Sequence, residues 1–257
     1  MPAVWRGLRV FVFFLAAGGP LAAAPEITLS AAASLTSVLE EIKADAESFV
    51  GARILVNTGA SGILRRQIEQ GAPVDVFFSA ARQDMDVLEN EGLIIPETRH
   101  DLLGNSLVLI GVPGTKPVSS RQDLRSLLSS ISLLAIGDPD VVPAGRYAMQ
   151  ALTAYGLDGL VIGKTAHGGS VREVLQFVQS GSAPLGIVFR TDALSAAPGG
   201  SVETVFAFPE EILPAPIVYP AAVIAASKNR AAAGRLVEFL RGQTARSAFQ
   251  RAGFTLP

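Results

Sequence analysis

The chain of 257 residues contains no cysteine. Disulfides, thiolate nucleophiles, iron–sulfur clusters and cysteine-based zinc sites are excluded together. Histidine is nearly absent as well, with only His100 and His167 available for imidazole chemistry. Charge is scarce: charged residues make up 17%, and 21 Lys and Arg against 23 Asp and Glu leave a formal charge of −2. No basic surplus exists to hold a nucleic-acid backbone, so nucleic acid is not expected as a partner. What the chain has is apolar material. Hydrophobic residues make up 49% and the mean hydropathy is +0.39, ample for a buried core and too apolar for disorder. At about 150 residues per domain, the length fits two modest domains or one large one.

Residues 1–24 read as a secretory signal peptide. Arg6 and Arg9 precede an unbroken apolar run from Val10 to Ala17, and Ala22, Ala23 and Ala24 close the segment. The run is far shorter than the roughly 20 residues needed to span a bilayer, which argues against a membrane anchor. Removing it takes away Arg6 and Arg9 and no acidic residue, so the mature formal charge falls from −2 to −4. The lack of cysteine also excludes an anchor through a lipidated cysteine. The mature protein is expected free in the periplasm.

The remainder alternates short β-type runs with amphipathic helical stretches, the pattern of α/β architecture with mainly parallel strands. Strands are expected at Ile27–Ser30, Arg53–Val56, Val74–Phe78, Leu134–Ile136, Leu185–Val188 and Ile217–Ala225. A further strand from Leu107 to Val112 is long enough to cross between two lobes. The first helix starts near Leu35 and places Val38, Leu39, Ile42, Ala46 and Phe49 on one face. Others are expected at Ile63–Glu69, Met85–Glu91 with Gly92 as its stop, about Gly145–Tyr155, Arg172–Gln179 and within Asn229–Phe249.

Three loops share one pattern, in which a strand ends, small residues follow and a helix begins. They are Ala31 to Thr36, Thr58 to Gly62, and Gly137 to Gly145. A helix N-terminus leaves N–H groups without intrahelical partners and carries about half a positive charge. Several such ends meeting in one crevice would bind an anion without any Lys or Arg, and Ala and Gly let the backbone approach it closely. The ordinary alternative is that serine is a favoured cap and small residues are common in such turns. Spacing alone leaves the two readings level.

Six segments add a resemblance. They are Ala31-Ala32-Ala33-Ser34-Leu35-Thr36; Arg66 to Phe77 (RQIEQGAPVDVF); Leu102 to Leu107 (LLGNSL); Gly137-Asp138-Pro139 with Val142-Pro143-Ala144-Gly145; Ala183 to Val188 (APLGIV); and Gly253-Phe254-Thr255. In this order, from about Ile27 to the C-terminus, they resemble the periplasmic molybdate-binding proteins, type II solute receptors of molybdate ABC transporters. The resemblance implies a two-lobed α/β fold, each lobe a mainly parallel sheet flanked by helices, with the ligand in the cleft. Lobe 1 would comprise residues 25–105 and 221–257, and lobe 2 residues 106–220. It implies a binding protein, not an enzyme, and a monomer that delivers molybdate or tungstate to a membrane-embedded permease without a cofactor. By motif, the oxyanion would be held through its oxygens by Ser34 and Ser61, each with hydroxyl and backbone N–H, and by the N–H groups of Ala144 and Val171. Many members complete the shell with a tyrosine hydroxyl; the matching residue here is Phe189, which cannot donate. That departure keeps open a receptor for another tetrahedral oxyanion such as sulfate, and more remotely a secreted hydrolase on the same scaffold.

Other candidates fall short of their motifs. Gly163-Lys164-Thr165 ends like a P-loop, but the required first glycine position is Asp158. Neither Ser61 nor Ser170 has the glycine spacing of a nucleophile elbow. Asp75, Asp138 and Asp192 are expected as turn or cap residues and Arg65-Arg66 as a solvated helix face. His167 is expected in a solvated loop, and His100 near the junction of the lobes.

Overall fold

Ile27, Leu29 and Ala31 stand two residues apart, as a strand requires, and all three are buried. They belong to β1 (Glu26–Ala32), the first element of a computed structural model that describes residues 25–257. The expected signal peptide lies outside the described residues. The chain continues through α1 (Thr36–Val50), β2 (Arg53–Gly59), α2 (Ser61–Glu69), β3 (Val76–Phe78), α3 (Arg82–Asn90) and β4 (His100–Asn105). Next come β5 (Leu107–Gly111), α4 (Arg121–Ser130), β6 (Leu134–Gly137), α5 (Pro143–Ala154), α6 (Asp158–Val161), β7 (Thr165–Gly168), α7 (Val171–Gln179), β8 (Leu185–Phe189), α8 (Arg190–Ala196) and β9 (Glu203–Ala207). The last elements are β10 (Ile217–Val223), α9 (Arg230–Arg241) and α10 (Gln243–Arg251).

These strands form two five-stranded sheets, in the orders β2-β1-β3-β10-β4 and β7-β6-β8-β5-β9. Each is the centre of one lobe. Parallel strands are fewer than expected, because each sheet has two parallel and two antiparallel neighbour pairs. The antiparallel pairs involve β10 in the first sheet and β5 in the second. Both are strands that the chain enters after crossing from the other lobe, without the helical crossover that makes neighbours parallel.

The first crossing is at Ser106, between β4 of one sheet and β5 of the other, so β5 does not itself span the lobes. The return lies between Ala207 and Ile217. The expected boundary at 220 therefore falls inside β10, whose first residues already pair with β4 of the first sheet. Pro214 and Pro216, just before β10, mark the return loop instead.

One continuous cluster of buried apolar side chains runs through both lobes, and a smaller one around Phe77, Met85 and Leu88 covers the other face of the first sheet. In α1 the expected face is buried at Val38, Leu39, Ile42 and Ala46, but Phe49 is 51% exposed and Val50 takes the inward position. Phe49 instead lies at the margin against Phe239 of α9, with ring centroids 5.7 Å apart.

Candidate functional site

The three strand-to-helix turns and the start of α7 converge on one cavity between the lobes. Its enclosed volume is about 10 Å³. Ser34, Gly59, Ala60 and Ser61 line it from the first lobe, and Val142, Pro143, Ala144, Val171 and Phe189 from the second. All five residues singled out in the sequence, Ser34, Ser61, Ala144, Val171 and Phe189, share this cavity.

Its chemistry follows from where each residue sits in its helix. Ser34 lies in a single tight turn, Ala33–Leu35, leading into α1, and Ser61 is the first residue of α2. Pro143 opens α5 and has no N–H, so Ala144 carries the first one. The following groups, Gly145 and Arg146, both donate to the Val142 carbonyl, at 3.0 and 3.1 Å. In α7, the Ser170 side chain and carbonyl take the Glu173 and Val174 N–H groups, each at 3.2 Å. The N–H groups of Ser61, Ala144 and Val171 are thus at helix starts, without intrahelical acceptors, where the helix field is positive. Close packing needs glycine at Gly145, because a Cβ there would lie 2.0 Å from the Gly137 carbonyl oxygen. Among the described residues no Lys, Arg, His, Asp or Glu lines the cavity.

Both serine oxygens already have a hydrogen-bond partner behind them. Ser61 Oγ accepts from the Ala80 N–H at 3.0 Å. Ser34 Oγ lies 3.0 Å from the Tyr219 hydroxyl, which also sits 3.1 Å from Asn105 Nδ2. Ser34, Ser61, Asn105 and Tyr219 are all buried. Sequence reasoning does not single out Tyr219 or Asn105 as site residues, although Asn105 lies in a segment that carries the resemblance. Phe189 is buried in the cavity wall, its ring 5.8 Å from that of Tyr219 and 6.4 Å from that of Tyr147. Burial pushes the Tyr147 phenol up to about 12 and raises Tyr219 well above its ordinary value, so both stay neutral.

Three contacts clasp the lobes around the cavity. Gly62 N–H donates to the Val141 carbonyl at 3.0 Å. Arg146 of α5 pairs with the buried carboxylate of Asp84 in α3, which Arg65 also approaches at 3.3 Å. Arg172 of α7 reaches across to Ser37 Oγ at 3.1 Å and to the Ala33 carbonyl at 3.4 Å.

The remaining polar candidates lie elsewhere. Asp75 accepts from Thr28 N–H at 2.8 Å and Ser227 Oγ at 2.6 Å, and Asp138 closes a turn by accepting from Asp140 N–H at 3.0 Å. Asp192 is fully buried, and neither carboxylate oxygen has a hydrogen-bond partner among the described residues. Arg172 Nε comes within 3.2 Å of it, but at an angle that makes no hydrogen bond. Arg65 is committed to Glu69 and Asp84, and Arg66 is exposed. His167 is exposed in β7, not in the loop expected from the sequence, and His100 is in β4, held below its ordinary value by burial and by Arg241. Among the described residues no cluster of His, Cys, Asp and Glu could hold a metal ion.

Two α/β lobes joined by two crossings, with hydrogen-bond donors facing a cavity between them, define a solute receptor. The family model described as bacterial extracellular solute-binding protein matches residues 27–255, and the chain belongs to that family. It is 37% identical over 247 residues to the molybdate-binding protein ModA of Escherichia coli (strain K12), covering 95% of this chain and 94% of the relative. The structure of the Azotobacter vinelandii periplasmic molybdate-binding protein superposes with a TM-score of 0.78 at 25% identity, covering 90% of this chain and 99% of that one. The sulfate-binding protein SubI of Mycobacterium tuberculosis H37Rv shares the fold, with a TM-score of 0.76 at 20% identity over 90% of this chain and 86% of that one.

Proposed function

We propose that the protein captures molybdate, and tungstate with it, in the periplasm and delivers it to an ABC permease, without covalent chemistry. One observation carries this reading: a cavity between the lobes is lined by two serines and three helix starts and, among the described residues, by no charged side chain. Six donors, the hydroxyl and N–H of Ser34 and Ser61 and the N–H groups of Ala144 and Val171, would surround the anion. Each hydrogen bond to a charged partner contributes roughly 1.5–3 kcal/mol. The likeness to molybdate-binding relatives supports the choice of anion. A donor-lined site disfavours hydrogen phosphate, whose proton finds no acceptor. Sulfate is smaller, so fixed donors cannot all reach it. Because both lobes donate to the anion, it favours the state in which they are closed. A hydrolase reading finds little support, since neither Ser34 nor Ser61 has a basic side chain as partner among the described residues.

A melting curve of the mature protein with molybdate, tungstate, sulfate and phosphate in turn tests the reading. At a hundredfold excess over the dissociation constant, a specific ligand adds about 2.7 kcal/mol, a shift of roughly 5–11 °C for a chain of this size. Shifts with molybdate and tungstate alone are expected. A shift with sulfate as well means that Phe189 has relaxed the size filter, and none with any anion refutes the proposal.

A further inference from the structure

The direction of the hydrogen bonds behind Ser34 is fixed by the backbone. The Ser106 N–H donates to Asn105 Oδ1 at 2.9 Å, so the Asn105 oxygen faces the chain and its Nδ2 faces inward. Nδ2 then donates to Thr191 Oγ1 at 2.9 Å and to the Tyr219 hydroxyl oxygen at 3.1 Å. Tyr219 is wholly buried, and its own proton has one acceptor within hydrogen-bond distance among the described residues, Ser34 Oγ at 3.0 Å. Ser34 therefore accepts, and its hydroxyl proton is left for the cavity that it lines. Ser61 reaches the same state by a shorter route, through the Ala80 N–H.

We propose that Tyr219, held by Asn105, is a positioning residue that keeps the Ser34 hydroxyl proton available to the anion and so favours a fully deprotonated oxyanion. The inference rests on the oxyanion-receptor reading above and adds to it the groups that set its selectivity. A serine that gives its proton to the tyrosine can only accept from an anion, whereas one that accepts from the tyrosine keeps its proton free to donate to it. Thr191 belongs to α8 of the second lobe, whereas Asn105 and Tyr219 belong to strands of the first, so the chain of bonds also spans the lobe junction.

Isothermal titration with molybdate and with hydrogen phosphate, at a pH where both are dianions, tests the proposal on wild type, Tyr219→Phe and Asn105→Asp. Tyr219→Phe keeps the ring and removes only the donor, and the ratio of molybdate to phosphate affinity is expected to fall about tenfold. Asn105→Asp is isosteric but turns a donor into an acceptor. Tyr219 then donates to the aspartate and accepts from Ser34, so the serine oxygen faces the cavity and the ratio falls further. The added negative charge repels both dianions alike and does not move the ratio. An equal loss for both anions in either variant, or an unchanged ratio, overturns the proposal and leaves Tyr219 a packing residue. If Tyr219→Phe fails to fold, Asn105→Asp decides alone. Failure of wild type to bind molybdate would refute the receptor reading instead, and is seen before any variant is compared.

Discussion

Gly62, in the first turn of α2, donates its N–H across the cleft to the carbonyl of Val141 at 3.0 Å. A Cβ at Gly62 would lie 2.7 Å from that oxygen and 2.8 Å from the Val141 Cα, and both are backbone atoms of the opposite lobe. No side chain can turn aside to make room, so the lobes would have to separate. Gly62→Ala is therefore expected to weaken molybdate binding by more than about tenfold. Within its own helix alanine is favoured over glycine by about 1 kcal/mol, so the ligand-free melting temperature should not fall. Titration calorimetry and a melt of the free protein check both halves. A large drop in ligand-free stability would mean that the contact holds the lobe together and does not merely close it.

Ser34→Ala and Ser61→Ala each remove one hydroxyl donor from the cavity. A loss of about ten- to a hundredfold in affinity is expected for each. Each also strands a buried donor, the Tyr219 hydroxyl in one case and the Ala80 N–H in the other, so stability should fall by about 1–3 kcal/mol. Binding constants and denaturant midpoints measure the two effects separately. If neither substitution changes affinity by as much as about threefold, the anion is not held by these serines.

Much of this arrangement was legible in the sequence because it is local. The turns at Ala31–Thr36, Thr58–Gly62 and Gly137–Gly145 show themselves by small residues between an apolar run and a helix, and the physics of a helix start needs only those few positions. The partners behind the serines were not legible, since Tyr219 stands 185 residues from Ser34 and meets it through sheet order alone. The same holds for Arg146 and Asp84, and for Gly62 and Val141, where the meeting depends on how the lobes close. Phe49 fits the helical face by spacing, but the face is bounded by α9, and position 49 falls just outside it. Pro214 and Pro216 mark the return loop, but where β10 joins the first sheet is set by its pairing with β3 and β4, which the sequence does not show.

Burial pushes the Asp192 carboxyl from its ordinary value of 3.8 up to about 7, with Arg172 opposing the change. The native state then binds this proton more tightly than the unfolded chain does, so its contribution lowers stability as pH rises from about 4 to 7. Below that window the carboxyl is neutral in both states and the penalty is absent. Asp192→Asn is expected to match wild type near pH 4 and to exceed it by a few kcal/mol above pH 7, since each tenfold difference in proton affinity between the folded and unfolded states is worth about 1.4 kcal/mol. Denaturant midpoints for both proteins across this range supply the test. A variant that loses ground to wild type as pH rises would show that attraction to Arg172 outweighs desolvation.

Phe189→Tyr adds a hydroxyl where the resemblance leads one to expect it. The ring already lines the cavity, held between Tyr147 and Tyr219, so a phenol in the same rotamer is placed to add a seventh donor. The Tyr219 hydroxyl is occupied by Asn105 and Ser34 and does not fill that role. Affinity for molybdate is expected to rise about ten- to a hundredfold, the contribution of one hydrogen bond to a charged partner. Sulfate, being smaller, should gain less, so the ratio of the two constants should rise as well. Both are read from titrations of wild type and variant. An unchanged molybdate constant would mean that the new hydroxyl turns toward its aromatic neighbours and that the wall at Phe189 shapes the cavity by volume alone.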